Sequence, residues 1–202
     1  MSPSKQDLLT RARRVKAIVL DVDGVLTDAS LYYGARGEVL KAFSARDGFA
    51  IRMATNEGIA VAILSGRLAG PVRPRLSDLG IPREMVIQGS RDKKADVSVL
   101  AARIGVPVAE IAFMGDDLPD LPALTVVGLA ACPADAASEV RERCHFVAGS
   151  PGGHGAVREL VKLLLEARGR WSEVVESWAA GTATRSFLGG ENGPGRGRRR
   201  GA

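Results

Sequence analysis

Five short apolar runs recur along the chain, and the segments between them have the spacing of amphipathic helices. The apolar runs predict strands over 15–20, 59–64, 85–87, 111–114 and 126–130. The intervening segments predict helices over 47–56, 68–79, 93–104 and 154–168, with a shorter one near 134–143. Strands that alternate with helices indicate an α/β fold, a Rossmann-like parallel sheet with helices on both faces.

One segment interrupts this alternation. Between residues 28 and 44, two runs of β-forming residues flank the sequence Gly-Ala-Arg-Gly at 34–37. This pattern predicts a β-hairpin at about 29–43, projecting from the end of the first strand. Because an isolated hairpin is barely stable and has exposed edges, we expect it to pair with another copy of the protein.

Composition and charge indicate how the chain is divided into a domain, an extension and a tail. With 202 residues, 46% of them hydrophobic and 4% aromatic, the sequence suits a single domain over 1–170. A short helical extension is predicted at 171–180 and a disordered Gly/Arg-rich tail at 181–202. That tail holds a net +4 of the formal +5. The body is therefore almost neutral, and its charge does not favour a nucleic-acid partner.

The sequence also predicts the compartment. No apolar run is long enough to span a bilayer, and residues 1–14 are polar and charged, unlike a signal sequence. Cys132 and Cys144 have neither metal-ligand spacing nor a disulfide framework, so we interpret them as small buried side chains. Together these features predict a cytoplasmic protein with no membrane association.

Polar residues follow four of the predicted strands. Asp21 and Asp23 follow the first strand, Ser65 the second, Lys93 the third and Asp116 the fourth. Each of them alone has an ordinary structural interpretation as a turn, a helix cap or a solvated side chain. In an open parallel sheet, however, ligands bind beyond the carboxyl ends of the strands. The sequence therefore predicts one shared cleft.

The residue types in this cleft indicate phosphoryl chemistry. Oxygen ligands from Asp21, Asp23 and Asp116 suit Mg²⁺, while Ser65 and Lys93 can donate to phosphate oxygens. We predict that Asp21 attacks phosphorus and forms an aspartyl-phosphate. Asp23 would protonate the leaving alkoxide and then activate water. The predicted catalytic residues are thus Asp21, Asp23, Ser65 and Lys93, and the predicted products are an alcohol and phosphate.

The motifs resemble those of the haloacid dehalogenase superfamily: D-V-D-G-V at 21–25, then Ser65, Lys93, and G-D-D at 115–117. The second carboxylate, Asp23, favours phosphate hydrolysis over dehalogenation. Neither the interval between the first motif and Ser65 nor the interval between Lys93 and Asp116 has room for a large cap domain. The longer segments D-V-D-G-V-L-T-D, G-A-R-G-E-V-L-K-A-F-S-A-R-D-G, I-L-S-G-R, G-D-D-L-P-D and G-G-H-G-A-V-R-E are similar to capless 3-deoxy-D-manno-octulosonate 8-phosphate phosphatases.

That resemblance implies a hydrolase of lipopolysaccharide precursor synthesis, a homotetramer formed through the hairpin. It implies Mg²⁺ on the carboxylates of Asp21 and Asp116 and on the backbone carbonyl of Asp23. It further implies a set of substrate-binding residues: Asp23, Ser44, Ala45, Arg46, Asp47, Gly48, Arg52, Gly66, Arg67, Arg75 and Lys93. Independently, arginines suit a substrate that carries both a carboxylate and a phosphate. The chain departs from the family at His154, where arginine is frequent.

Three other functions stay open. A related phosphatase could act on the phosphate of a nine-carbon, sialic-type sugar acid. A second alternative is a non-catalytic tetrameric domain associated with an acylneuraminate cytidylyltransferase; the presence of both Asp21 and Asp23 argues against it. The third is an RNA-associated protein that binds through the arginines of its tail, for which binding would depend strongly on salt.

Overall fold

A computed structural model describes residues 4–35 and 37–183. Its main sheet contains six strands in the order β5-β4-β1-β6-β7-β8, and all neighbours are parallel. Their bounds are β1 Ala17–Leu20, β4 Ala60–Ser65, β5 Val86–Gln88, β6 Ile111–Met114, β7 Leu129–Cys132 and β8 Phe146–Val147. The predicted parallel α/β sheet is therefore confirmed.

Helices cover both faces of this sheet. They are α1 Lys5–Arg14, α2 Ala45–Asn56, α3 Val72–Asp78, α4 Lys93–Ile104, α5 Leu121–Leu124, α6 Ser138–Arg141, α7 Ala156–Ala167 and α8 Trp171–Ala179. Short 3₁₀ turns lie at Arg83–Met85, Val108–Glu110 and Leu118–Asp120. Parallel strands covered on both sides are apolar throughout, which is why β1, β6 and β7 are fully buried.

The side chains of β1 divide between two hydrophobic cores. Ile18 and Leu20 join the core under α1, α2, α3 and α7. Ala17 and Val19 join the core under α4, α5 and α6. This alternation follows from the two-residue period of a strand. Because β1 lies between β4 and β6 in the centre of the sheet, the residue that follows it is delivered to the middle of the carboxyl edge.

The hairpin is present as β2 Tyr32–Gly34 and β3 Gly37–Leu40, an antiparallel pair with an irregular register between Tyr32 and Tyr33. It forms its own two-stranded sheet, apart from the main one. Several of its apolar side chains are exposed, namely Leu31, Tyr32, Tyr33, Val39 and Leu40. The fold therefore includes the projecting hairpin that the sequence predicts.

Some boundaries differ from the prediction. Strand β7 begins at Leu129, not at residue 126, and α3 begins only at Val72, after the sequence Gly70-Pro71. Three elements had no prediction: α1, α5 and the two-residue edge strand β8. Helix α1 buries only Ala12, so its sequence lacks a wide apolar face.

The described residues end just beyond α8, which packs against the rest of the fold. The ring of Trp178 lies 5.1 Å from the ring of Phe49, centroid to centroid, so α8 packs against α2. Most of the predicted tail, residues 184–202, lies outside the described residues. Within the described ranges, no helix combines the length and apolar character needed to cross a membrane.

Candidate active site at the carboxyl ends of the strands

The loops after β1 and β6 meet at the centre of the sheet edge. Leu20 pairs with Met114, the last residue of β6, and the backbone N–H of Asp21 donates to the Met114 carbonyl at 3.0 Å. Asp21 and Asp116, each beyond the end of its strand, therefore emerge side by side. The parallel register thus brings together two carboxylates that are 95 positions apart in sequence.

Lys93, the first residue of α4, reaches this pair from the next loop. Its Nζ lies 2.8 Å from Oδ2 of Asp21 and 2.5 Å from Oδ1 of Asp120, and the residue is buried. Burial opposes the charge of Lys93, but Asp21 and Asp120 hold its pKa above the ordinary value. The three loops are consequently joined by a buried ion-pair cluster.

The negative charge of the cluster exceeds what Lys93 supplies. Carboxylate oxygens of Asp21, Asp116 and Asp120 all lie within 4.8 Å of one another. Burial, Asp120 and Asp21 raise the pKa of Asp116 to about 8. Burial and Asp120 raise the pKa of Asp21 to about 6, although Lys93 acts in the opposite direction. Hard oxygen donors crowded in this way fit a divalent cation such as Mg²⁺.

Asp120 is among the polar residues expected after the fourth predicted strand, without an assigned role, and in the structure it organises the loop after β6. Its Oδ2 accepts the backbone N–H groups of Asp116 at 2.9 Å and Asp117 at 3.2 Å, while its Oδ1 accepts from Lys93. The residue is 1% exposed. Its signal in the sequence is the D-x-x-D spacing with Asp117, which forms a capping box at the 3₁₀ turn.

Gly24 is needed because of a close approach within the site. Its φ is +78°, and a Cβ at this position would lie 2.0 Å from Oδ2 of Asp116. A side chain at this position would force the Asp116 carboxylate to move, and the backbone conformation also disfavours other residues. The glycine of the D-V-D-G motif therefore makes room for the carboxylate that follows β6.

The loop after β4 lies against Lys93. Ser65 is 2% exposed, and its Oγ accepts the backbone N–H of Arg67 at 3.2 Å. A Cβ built on Gly66 would lie 4.0 Å from Cε of Lys93. The structure thus brings the predicted residues of this loop beside the ion-pair cluster. The catalytic roles of Ser65 and Lys93 stay predictions.

The side chain of Asp23 points toward the hairpin. Its Oδ1 pairs with Nζ of Lys41, and its Oδ2 lies 3.6 Å from Nε of Arg67. Glu38 completes the group by pairing with both cations. Neither Lys41 nor Glu38 has a predicted role. No local feature of the sequence marks them: only the structure shows that the two charged residues are sheltered while Val39 and Leu40 are exposed.

The predicted substrate-binding segment 44–48 forms the first turn of α2. Ser44 caps this helix, and its Oγ accepts the N–H of Asp47 at 3.3 Å. Ala45 and Arg46 are exposed. Arg75 lies against Gly48, where a Cβ would be 2.1 Å from its guanidinium, and it donates to the Ser44 carbonyl at 3.3 Å. The structure therefore places Arg75 with this segment.

Asp47 and Arg52 make contacts that the sequence did not predict. Asp47 is 1% exposed and accepts the N–H groups of Gly155 at 3.0 Å and Arg158 at 2.9 Å, which begin α7. Both of its oxygens are thus used in a helix cap between distant parts of the chain. Arg52 donates to the backbone carbonyl of Asp78 at the end of α3. Their substrate contacts stay predictions.

Comparison with known proteins identifies the family. A model of haloacid dehalogenase-like hydrolases matches residues 84–160. The chain is 41% identical over 171 residues to the 3-deoxy-D-manno-octulosonate 8-phosphate phosphatase KdsC of Escherichia coli K12, covering 85% of this chain and 90% of that protein.

Solved structures give the same result. The corresponding phosphatase from Yersinia pestis superposes with a TM-score of 0.79 at 38% identity, covering 82% of this chain and 89% of that one. The Moraxella catarrhalis phosphatase, solved with magnesium, phosphate and KDO, gives a TM-score of 0.82 at 31% identity, covering 86% and 99%. This chain therefore belongs to the family of 3-deoxy-D-manno-octulosonate 8-phosphate phosphatases within the haloacid dehalogenase-like hydrolases.

Proposed function

We propose that the protein is a Mg²⁺-dependent phosphatase that converts 3-deoxy-D-manno-octulosonate 8-phosphate into the free sugar acid and phosphate. The observation that carries this proposal is the buried cluster of Asp21, Lys93, Asp116 and Asp120, found in a chain 41% identical to KdsC over most of its length. The same cluster could hydrolyse the phosphate of a nine-carbon, sialic-type sugar acid by identical chemistry. The two substrates therefore differ only in how the protein recognises the sugar acid.

Asp21 is the proposed nucleophile. Its Oδ2 is held by Lys93 at 2.8 Å, and its Oδ1 accepts the backbone N–H of Val22 at 2.7 Å, so the carboxylate is fixed in orientation. Attack forms a bond from a carboxylate oxygen to phosphorus and breaks the ester P–O bond. Asp23 gives its proton to the departing alkoxide, which leaves as the alcohol.

The second half of the reaction regenerates the enzyme. Asp23, now ionised, takes a proton from water, and the resulting hydroxide attacks the phosphorus of the aspartyl-phosphate. The bond from phosphorus to the Asp21 oxygen breaks, releasing inorganic phosphate. Lys93 and Ser65 donate to the phosphoryl oxygens in both halves, which stabilises the charge that develops on them.

The residues present fit a magnesium ion. The carboxylates of Asp21 and Asp116 and the backbone carbonyl of Asp23 would hold it, and Asp120 would orient the loop that carries Asp116. When bound, the ion supplies positive charge that offsets the crowded carboxylates and allows a phosphate dianion to approach them. Burial and neighbouring carboxylates raise the pKa of Asp116, and a bound cation would relieve the same repulsion.

We propose that the protein is a homotetramer with the hairpin in its interface. The support is the exposure of apolar side chains on an isolated two-stranded sheet, for example Tyr33 at 64% and Val39 at 60%. Light scattering after size exclusion tests this assembly. The wild type should have four times the chain mass, and Val39→Lys should shift the protein toward smaller species. A monomeric wild type would overturn the assembly.

The remaining features of the proposal concern organisation. A single domain over 1–170 and a helical extension at 171–180 fit the described elements, which run from α1 to α8. The predicted tail over 181–202 stays a prediction. Cytoplasmic location fits the two free, buried cysteines, because thiols persist in reducing compartments.

Phosphate release tests the activity directly. Wild type, Asp21→Asn and Asp116→Asn are assayed with the octulosonate 8-phosphate, a nine-carbon sugar-acid phosphate and simple hexose phosphates, with Mg²⁺ or with EDTA. We expect selective turnover of the octulosonate ester that requires Mg²⁺ and is lost in both variants. Asp7→Asn, an exposed change in α1, is the matched control and should retain activity. Turnover restricted to other esters would overturn the substrate.

A further inference from the structure

Lys41 is buried although it follows one of the most exposed segments of the protein. Its side chain is 0% exposed, whereas the neighbouring Val39 and Leu40 are 60% and 56% exposed. Removing an ammonium group from water is strongly unfavourable unless carboxylates compensate for the lost hydration. An ordinary hairpin lysine would stay in solvent, so the burial of Lys41 needs a specific cause.

The cause is a closed arrangement of four alternating charges. Lys41 pairs with Oδ1 of Asp23 and, at 2.6 Å, with Oε1 of Glu38. Glu38 pairs with Arg67 at 3.1 Å, and Nε of Arg67 lies 3.6 Å from Oδ2 of Asp23. Two cations and two carboxylates thus form a ring of zero net charge. The ring is further tied to the hairpin by Tyr33, whose hydroxyl accepts from Arg67 at 3.2 Å.

This ring joins three separate parts of the fold. Asp23 belongs to the loop after β1, Glu38 and Lys41 to the hairpin, and Arg67 to the loop after β4. Both oxygens of Asp23 face ring members, so the orientation of its carboxylate depends on them. Of the two cations in the ring, Lys41 is the buried one. The side chain of Arg67 is 41% exposed and well placed to reach solvent or substrate.

We propose that Lys41 is a positioning residue that fixes the carboxylate of Asp23 for proton transfer to and from the reacting groups. This inference rests on the proposed function, because it assigns Asp23 the role of acid and base. It also gives the hairpin a second purpose, since its base carries the residue that orients the catalytic acid. Misplacing a proton donor by about 1 Å can reduce a rate by about 100-fold.

The leaving group of the ester separates this role from general structural damage. A primary alcohol leaves as a strongly basic alkoxide and needs the proton of Asp23, whereas p-nitrophenolate leaves without one. The ratio kcat/KM reports the steps up to the departure of the alcohol, so later hydrolysis of the aspartyl-phosphate does not obscure it. Loss of Lys41 should therefore impair the alkyl ester selectively.

The experiment compares kcat/KM for the octulosonate ester and for p-nitrophenyl phosphate in wild type, Lys41→Met and Asp23→Asn. For Lys41→Met we expect a loss of about 10–100-fold with the alkyl ester and less than about 3-fold with the aryl ester. Activity on the aryl ester shows that the variant is folded. In the Asp23→Asn background, Lys41→Met should produce no further selective loss, because the two residues act as one unit.

Two further variants complete the test. Lys41→Met combined with Glu38→Gln removes one charge of each sign, so no Glu38 carboxylate is left without its lysine partner. This double variant should lose activity on the alkyl ester as selectively as Lys41→Met alone. Recovery of that activity would overturn the inference. Lys16→Met is the matched control, because Lys16 is 62% exposed and precedes β1 at the opposite end of the strand from Asp21.

Equal losses on both esters for Lys41→Met, or additive losses in the double variant with Asp23→Asn, would overturn this inference and leave the proposed function intact. A wild type inactive on both esters would overturn the proposed function itself, and this inference with it.

Discussion

Asp116→Asn should make the metal-free protein more stable while abolishing its activity. The variant keeps the shape of the side chain but removes one of three carboxylates whose oxygens lie within 4.8 Å of one another. In the folded wild type, burial together with Asp120 and Asp21 raises the pKa of Asp116 from 3.8 to about 8. The unfolded chain has no such crowding. In the absence of metal, the ionised Asp116 carboxylate therefore makes folding less favourable.

The pKa shift sets the magnitude. Between the unfolded and the folded pKa, the folded state binds more protons than the unfolded state, so stability falls as the pH rises through this window. At about pH 7 the part of the shift between the unfolded pKa and that pH corresponds to about 4 kcal/mol, at about 1.4 kcal/mol for each pH unit above the unfolded pKa. Partial solvent contact of Asp116 reduces the expected gain for the asparagine variant to about 2–4 kcal/mol.

Thermal unfolding in EDTA measures this gain. For a chain of this length, about 2–4 kcal/mol corresponds to an increase of about 5–15 °C in Tm. Saturating Mg²⁺ should raise the Tm of the wild type and have little effect on Asp116→Asn, because the variant lacks a ligand. The difference in EDTA should shrink toward acidic pH. Asp7→Asn, the exposed control, should melt with the wild type. An Asp116→Asn variant that melts at or below the wild type in EDTA would refute the reasoning.

Three other predictions follow from single contacts. Gly24→Ala should lower kcat/KM for phosphate release by at least about 100-fold, because its Cβ would lie 2.0 Å from Oδ2 of Asp116. Asp47→Ala should lower the free energy of unfolding in urea by about 2–4 kcal/mol, since it leaves one buried and one partly buried N–H group without their acceptor. His145→Asn should reduce the loss of stability between about pH 7 and pH 5, because the Nδ1 of His145 accepts the N–H of Ala130 at 2.9 Å and an asparagine oxygen accepts without titrating.

Each of these has a clear contrary outcome. For Gly24→Ala it is full activity with normal Mg²⁺ stabilisation. For Asp47→Ala it is a change below about 0.5 kcal/mol, the range of an ordinary surface substitution. For His145 the sign follows from its depressed pKa, caused by burial and Arg11: the unfolded chain binds a proton first, so stability is lost as the pH falls below about 6.5. Equal pH dependence in wild type and His145→Asn would contradict it.

The sheet and most of its helices could be predicted because their signals are local. A run such as Ala17–Leu20 is apolar on both faces only when helices cover both sides, and this pattern was sufficient to place four of the five predicted strands closely. Strand β8 has two residues, Phe146–Val147, at the edge of the sheet, too few to show any periodicity. Helix α1 buries one residue and therefore resembles a solvated segment.

The residues of the candidate site also fall into those that the sequence could predict and those that it could not. Asp21 directly follows a predicted strand, Asp116 lies two residues beyond another, and Lys93 opens a predicted helix. The topology of the sheet was therefore enough to bring them together. Lys41 and Asp47 depend on pairings that topology does not specify: the first between the hairpin and the loop after β1, the second between α2 and α7. A charged residue in a helix or hairpin has no local mark that distinguishes a buried partner from solvent.

The segment after β8 shows how such long-range contacts fix the geometry of the catalytic loop. A Cβ on Gly152 would lie 1.9 Å from the carbonyl oxygen of Gly24, and one on Gly153 would lie 2.7 Å from the carbonyl carbon of Thr27. The N–H of Gly153 also donates to the Val25 carbonyl at 2.9 Å. These glycines press the backbone of the C-terminal segment directly onto the loop that begins with Asp21.

His154 lies between those contacts and the cap made by Asp47, but its side chain is exposed and its Nδ1 is 2.7 Å from the carbonyl of Gly152, within its own turn. The packing of the turn on the catalytic loop uses the backbone of Gly152 and Gly153, and the attachment to α2 uses the N–H of Gly155. A change between histidine and arginine at position 154 therefore leaves every one of these contacts in place. A histidine where the resemblance leads us to expect arginine therefore alters the chemistry presented at the surface and not the position of the nucleophile.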